Sequence, residues 1–487
     1  MLLLSLVALA ATYEVVEGED LWEAIASLQP GDELIVHEGT WTTQKSSGGS
    51  WYREVVLAGT KDDPIVVRTG EGEAVLIQGD PNGSQNIINL SGSYYTFKGF
   101  ELLYGSHGLR LHASSHALIE DLEISQTHDV GLSANIPGTT YEDLTIRGNH
   151  IHHTSGTGEC MYLGCNNDDC RVAGGLIEFN WCHDTQNSQQ GDGIELKSGS
   201  YGVTIRHNVI HDTNYPGIIL YGTGGKEPNV VEGNIVWNTV DNGIQTVGEV
   251  VVRNNIVIDA GVYGIYAKSS QGNDPDGLVV VHNTVIGGGT GCLRANDLAG
   301  VNGVVVANNA FFCEGSTAIY LGGGQGSAVF ANNGVAGSNQ ASGSSFDIDL
   351  SDLVDVPGRN AYPTAGSALI GAADPTYTPD TDFNCLPRLG TDAGAYERGE
   401  DDNPGWAGSG FKACVESDAD TDSDSDTDTD SDGDSDGDSD LDDTSVDSGN
   451  GDTGSPQGGD CGCGGGPVPS VLFGLIGLVS LRRRRSA

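Results

Sequence analysis

The sequence predicts an all-β chain wound as a right-handed parallel β-helix, a solenoid preceded by a short capping helix. Three observations predict it. First, eight short apolar phrases end on an asparagine, at Asn149, Asn180, Asn208, Asn234, Asn255, Asn283, Asn309 and Asn333, with intervals of 31, 28, 26, 21, 28, 26 and 24 residues. A repeat of this length means a solenoid, propeller or array. Second, each unit holds short β-branched runs such as Val203-Thr-Ile-Arg206 and Val250-Val-Val-Arg253, separated by Gly, Asn and Asp, with no room for an ordinary helix. Third, a glycine leads a further strand in most units, at Gly108, Gly131, Gly193, Gly217, Gly243, Gly264 and Gly291. One such unit is one rung, and stacked rungs build a column of Ile, Val and Leu.

The asparagines are expected at a tight turn, where the side-chain amide bonds its own turn backbone and the amides of the rungs above and below. In Gly193-Ile194-Glu195-Leu196-Lys197, alternation sends Ile194 and Leu196 inward and Glu195 and Lys197 outward. With Gly108, Gly131, Gly193 and Gly217 in register and Met161 in the place of Ile194, one outer column reads Arg110, Ser133, Tyr162, Glu195, Ile219. Its neighbour reads His112, Asn135, Gly164, Lys197, Tyr221. Such a face is a long shallow groove that suits an extended polymer. Its densest polar cluster is Asp192, Glu195, Lys197 and Tyr221, flanked by Tyr162.

Before the repeats, residues 12–105 read as the cap and first rungs. Asp20 precedes Leu21, Trp22, Ile25 and Leu28 at helical spacing, so a short amphipathic helix N-capped by Asp20 should cover the open end of the apolar column. The repeats and a closing segment span 106–398, an acidic spacer 399–460, and a tail 461–487. In the spacer, Asp fills every even position from Asp418 to Asp442, a composition that stays solvated and extended. Asp432, Asp434, Asp436, Gly437 and Asp443 fall at the offsets of a calcium loop. However, the last is Asp rather than Glu, and no helical pattern flanks it.

Residues 1–11 read as a signal peptide with an Ala8-Leu9-Ala10 cleavage pattern; the basic residues of a usual start are missing, which fits a start further upstream. Ten cysteines beside export signals point to an oxidising compartment. Cys160, Cys165, Cys170 and Cys182 crowd one insertion, with spacing that suits disulfides better than zinc and leaves three connectivities open. Cys292/Cys313 and Cys385/Cys414 lie beyond. The net charge of −46 comes with no basic stripe, which argues against nucleic acid as a partner. His152, His183 and His211 recur three residues after their asparagines, either as copied turn residues or as a ladder able to bind a metal or a sugar.

The run Leu21-x3-Ile25-x3-Gln29-Pro-Gly-Asp-Glu-Leu-Ile-Val36, followed by Glu38-Gly-Thr-Trp41 and Gly59-Thr-Lys-Asp-Asp-Pro-Ile65, resembles the opening of secreted β-helix proteins. It is most similar to the chondroitinase-B/alginate-lyase-like branch of polysaccharide lyases. The ending Gly394-Ala-Tyr-Glu397 resembles that of bacterial β-helix proteins.

This resemblance implies cleavage of a uronic-acid polysaccharide by β-elimination. Gly191-Asp-Gly-Ile-Glu-Leu-Lys197-Ser198 resembles the family's Lys-Ser strand, so Lys197 is the implied base and Asp192 or Glu195 an implied calcium ligand. Gly217-Ile-Ile-Leu-Tyr-Gly222 lacks the arginine the family carries on the next rung, and Tyr221 stands in as the acid. Arg110, His112, Asn135 and Tyr162 are the expected substrate-binding residues. The tail, with Cys461-Gly-Cys463, an apolar stretch from Val468 to Leu481 and then Arg482 to Arg485, is similar to Myxo-type sorting signals. It implies an exported protein, expected to be a monomer, attached to the cell envelope of a Gram-negative bacterium. Two function classes stand: a surface lyase (with a two-carboxylate hydrolase as variant), and a non-catalytic adhesin or glycan-binding protein.

Overall fold

A computed structural model describes residues 10–45, 49–399 and 405–414. The calcium-loop reading of the spacer, the tail and all but the last two residues of the expected signal peptide lie outside them. Among the described residues, thirty-four strands join in one sheet from Thr12–Val15 to Ser345–Asp347, every pairing in it parallel, and the chain forms a right-handed parallel β-helix. A two-stranded antiparallel pair, Leu353–Asp355 with Asn360–Pro363, follows.

Each rung contributes three short strands, and in-register pairing stacks them into three faces. Face A runs through Ile124, Ile151, Cys182, Ile210, Val236 and Val257. Face B runs through Leu109, Leu132, Met161, Ile194, Ile218, Ile244 and Ile265. Face C runs through Ile119, Ile146, Ile177, Ile205, Val231 and Val252. Their inward side chains are almost fully buried and form one continuous core. Burial on this scale is the main driving force for winding the chain.

The asparagine turn joins face C to face A, and all eight amides are buried. Asn180 shows the pattern. Its backbone N–H and Nδ2 both donate to Asn208 Oδ1 (3.0 and 2.9 Å), Nδ2 also donates to Ile146 O (2.9 Å), and its Oδ1 accepts from Asn149. The same bonds continue through Asn234, Asn255, Asn283 and Asn309 to Asn333. Only a side chain carrying both donor and acceptor can extend such a column, which explains why the residue repeats.

The glycine series has a steric cause. A Cβ at Gly193 would sit 2.3 Å from Gly217 O, and one at Gly243 2.7 Å from Gly264 O. One member of the expected series is displaced: Gly291 pairs with Tyr263, which puts Cys292 in the row of Gly264. Cys160 takes the same place opposite Gly193. Both of these cysteines form disulfides, Cys160–Cys182 and Cys292–Cys313, which join face B to face A. Cys165–Cys170 and Cys385–Cys414 are also bonded, which excludes the zinc alternative for the crowded insertion.

The helix forms at Leu21–Ser27 with Leu21 and Ile25 buried on the core, and Asp20 accepts from the N–H groups of Trp22 (3.0 Å) and Glu23 (3.1 Å). Asp20→Ala is expected to cost about 1 kcal/mol in urea unfolding, the usual worth of an N-cap. The closing segment covers the outer side of face A. Phe383, Ala393, Ala395 and Tyr396 pack on Val209, Ile235, Ile256 and Ile286. Buried Arg388 fixes its backbone through Gly394 O (2.8 Å), Ala395 O (3.0 Å) and Asn254 Oδ1 (3.0 Å).

Candidate functional site

Face B presents the columns expected from the repeat. Arg110 pairs with Ser133, Ser133 with Tyr162, Tyr162 with Glu195 and Glu195 with Ile219. One step along, the Lys197 N–H bonds Leu163 O and the Tyr221 N–H bonds Leu196 O, so Gly164, Lys197 and Tyr221 are stacked. Gly164 leaves room for its neighbour: a Cβ there would meet Lys197 Cβ at 3.0 Å.

The expected solvated character of this strand is absent. Glu195 and Lys197 are only 2% and 5% exposed. Alternation does turn them away from the core, but neighbouring rungs roof them. The Lys197 ammonium ion-pairs with Glu195 and lies over the rings of Tyr162 (4.5 Å) and Tyr221 (5.2 Å). Ser198 Oγ donates to Gln271 Oε1 (2.7 Å), tying in a loop that springs from a rung further along.

Glu195 belongs to a group of three buried carboxylates, with Glu159 and Asp192, one oxygen of each lying within 4.8 Å of the others. Glu159 was not among the expected site residues. Its signal was in the register: it stands two residues before Met161, as Asp192 stands two before Ile194. Both Glu159 oxygens, Asp192 Oδ1 and Glu195 Oε2 are buried without a hydrogen-bond partner.

Burial raises the pKa of all three carboxyl groups, and for Asp192 it is reinforced by the charges of Glu195 and Glu159. Burial opposes the charge on Lys197, but the Glu195 carboxylate outweighs it and holds the ammonium up to about 12. Burial also pushes the Tyr221 hydroxyl up to about 12. Unpartnered oxygen acceptors crowded at one point are the donor set of a hard divalent cation, so these residues fit calcium.

The structure therefore brings Asp192, Glu195, Lys197, Tyr162 and Tyr221 together. Arg110, His112 and Asn135 form a separate group further down the same face, where Arg110 Nε donates to Asn135 Oδ1 (3.0 Å). Burial and the Arg110 charge lower the His112 pKa. In the other direction along face B, Arg294 lies over Tyr263, Tyr266 and Tyr320. Among the described residues, the rung next to Lys197 offers Ile219 and Tyr221 where the resemblance asks for an arginine.

Comparison with known proteins gives the same architecture. A family model described as "Right handed beta helix region" matches residues 135–311. The complex structure of XylC with xylose superposes with a TM-score of 0.55 at 14% identity, over 79% of this chain and 98% of that one. Pectate lyase Pel9A superposes at 0.52 and 16% identity, over 80% and 97%. The chain shares their fold. No curated protein matches it. At these identities the likeness concerns the fold, and function has to be argued from the site.

Proposed function

We propose that the protein binds an extended acidic polysaccharide along face B and cleaves it by β-elimination at Lys197. The observation that carries this reading is one ammonium between two tyrosines, ion-paired to a member of a group of three carboxylates with unpartnered oxygens. Arg110 on one side and Arg294 on the other, each among groups able to hydrogen-bond or stack on sugars, supply cationic subsites for a uronate chain. That Pel9A, a pectate lyase, shares the fold is consistent with this choice.

In this reading Glu159, Asp192 and Glu195 would hold calcium, whose charge would offset that of a uronate carboxylate and so make the adjacent C–H more acidic. Lys197 takes that proton, and the Tyr221 hydroxyl gives one to the leaving glycosidic oxygen. A lysine held at about 12 is an ammonium at neutral pH and cannot accept a proton. Lys197 thus becomes a base only when the charge of Glu195 is engaged by another cation. Activity should therefore require calcium and rise toward alkaline pH.

The test is to incubate the full chain with alginate, pectate and chondroitin, with calcium or with chelator, and follow the ultraviolet absorbance of the new C=C bond. Elimination with one polymer in calcium, lost in chelator, supports the proposal. Polymer binding with no absorbance change under any condition would leave the second reading, a non-catalytic glycan-binding surface protein. The strong Lys197–Glu195 pair is what favours that alternative. For either function we propose export, which the four disulfides among the described residues suit, and attachment to the cell envelope through residues 461–487.

A further inference from the structure

On face A, on the same two rungs as the Lys197 cluster but on a different face, lies a group of imidazoles that the proposed reaction does not use. Strand alternation puts His150 and His152 on the same outward side, and the in-register pairing of the next rung puts Trp181 beside His150 and His183 beside His152. The result is a triangle of three histidines, each offering a nitrogen within 4.8 Å of the other two. His150 Nε2 and His183 Nε2 approach to 2.8 Å, a distance that requires one shared proton between the two rings.

We propose that His150, His152 and His183 bind one late first-row divalent transition-metal ion, of the zinc type, which replaces that shared proton. The supporting groups already stand where such a site needs them. His183 Nδ1 is 2.7 Å from Asp184 Oδ2, so Nδ1–H donates to the carboxylate, which fixes the proton on Nδ1 and leaves the Nε2 lone pair directed at His150. His152 Nε2 lies 3.2 Å from Glu123 Oε1, which by the same logic makes Nδ1 the acceptor nitrogen; it is held 2.6 Å from His153 Nδ1, a hydrogen bond that the metal would replace. Trp181 stacks on His150 at 4.0 Å with the planes 3° apart, fixing the ring orientation.

Burial and the neighbouring imidazoles lower His150 to about 3 and His183 to about 4, so both rings are neutral, the ligand form, at physiological pH. Asp184 and Glu123 supply negative charge to offset a dication. A tetrahedral ion with ~2.0–2.1 Å bonds to nitrogen sets its ligand atoms roughly 3.3 Å apart, so the 2.8 Å pair must open slightly and the partly exposed His152 ring must turn inward.

The structure also changes the membership expected of this ladder. His211 stacks in parallel on His183 at 4.8 Å, as the ladder predicts, but it lies outside the close group of three and its Nε2 lone pair is occupied by an indole N–H. Nδ1 pairs with Asp212 (2.6 Å), and Nε2 accepts from Trp181 Nε1 (3.0 Å). His150 takes its place. The soft-to-borderline nitrogen set distinguishes this site from the all-oxygen set of Glu159, Asp192 and Glu195, which suits calcium.

The experiment uses the full chain stripped of metal and titrated with Co2+, whose visible absorption reports ligand type and geometry. The expected result is one cobalt per chain with intense tetrahedral bands, displaced by Zn2+ and untouched by excess Ca2+. His150→Gln and His183→Gln should each abolish the bands. Asp184→Asn should keep them but weaken affinity about 10–100-fold, and Glu195→Gln should leave them unchanged. Zn2+ should also raise the melting temperature of the unmodified chain, an effect lost in His150→Gln, a partly exposed position that can be changed without opening the core. Weak octahedral absorption in the unmodified chain, or bands that persist in His150→Gln and His183→Gln, would overturn the proposal.

Discussion

Replacing Lys197 by methionine is expected to cost about 3–5 kcal/mol of stability at pH 8, the usual consequence of removing one partner from a buried ion pair, and to abolish elimination activity. The cause is the company Lys197 keeps. Its ammonium is the cation paired with Glu195, and Glu159 and Asp192 lie within the same cluster. The Lys197 pKa is raised in the folded chain to about 12, so its contribution is fully present below the ordinary lysine value and is lost only as pH rises through 12.

The three carboxyl groups are also raised, but with the opposite consequence for neutral solution. They bind protons more tightly folded than unfolded, so they favour folding below about pH 4 and the benefit is lost as pH rises through their folded values. Without Lys197 that loss deepens at pH 8 and shrinks toward pH 4–5, where protonation replaces the missing cation. Urea unfolding of both proteins at pH 5 and pH 8 measures this. Equal deficits at the two pH values would mean that Lys197 does not neutralise the cluster. Calcium should recover part of the pH 8 deficit, because it binds the folded carboxylates and not the unfolded chain.

Asn208→Ala is expected to destabilise the chain by roughly 2–6 kcal/mol, well beyond the usual effect at an ordinary surface asparagine. Asn208 is fully buried and accepts from both Asn180 N–H and Asn180 Nδ2, while its Nδ2 donates to Ile177 O and to Asn234 Oδ1. Alanine leaves two donors of Asn180 without partners in a site closed to water, at about 1–3 kcal/mol each, and removes a second donor from the Ile177 carbonyl. Asn208→Asp keeps the acceptor but loses the donor and sets a carboxylate against Asn234 Oδ1. Its deficit should ease in acid, when the carboxyl proton restores a donor. Chemical denaturation monitored by circular dichroism reads both. A loss under 1 kcal/mol in Asn208→Ala would show that water or a backbone shift satisfies the freed groups.

The winding of the chain, the asparagine column, the inward series of face B and the capping helix were all legible in the residues. A solenoid rung buries itself against copies of itself, so local period and register carry the geometry. The same logic placed Arg110, Ser133, Tyr162, Glu195 and Ile219 in one row, and it contained Glu159 too, which lay one step outside the alternating strand that drew attention.

Tertiary structure alone decided what no single repeat encodes. Tyr162 and Tyr221 of the adjacent rungs pack over Lys197, and Gln271 bonds Ser198, so Glu195 and Lys197, outward by alternation, are nevertheless buried. Cys292 rather than Gly291 fills the glycine row, because a disulfide partner on the next face takes up its side chain. His150 rather than His211 completes the close group of three histidines, while His211 stays stacked on His183 with its Nε2 bonded by Trp181. Each of these depends on contacts between segments 20 or more residues apart, where side-chain volume and hydrogen-bond competition, not periodicity, determine which residue occupies the site.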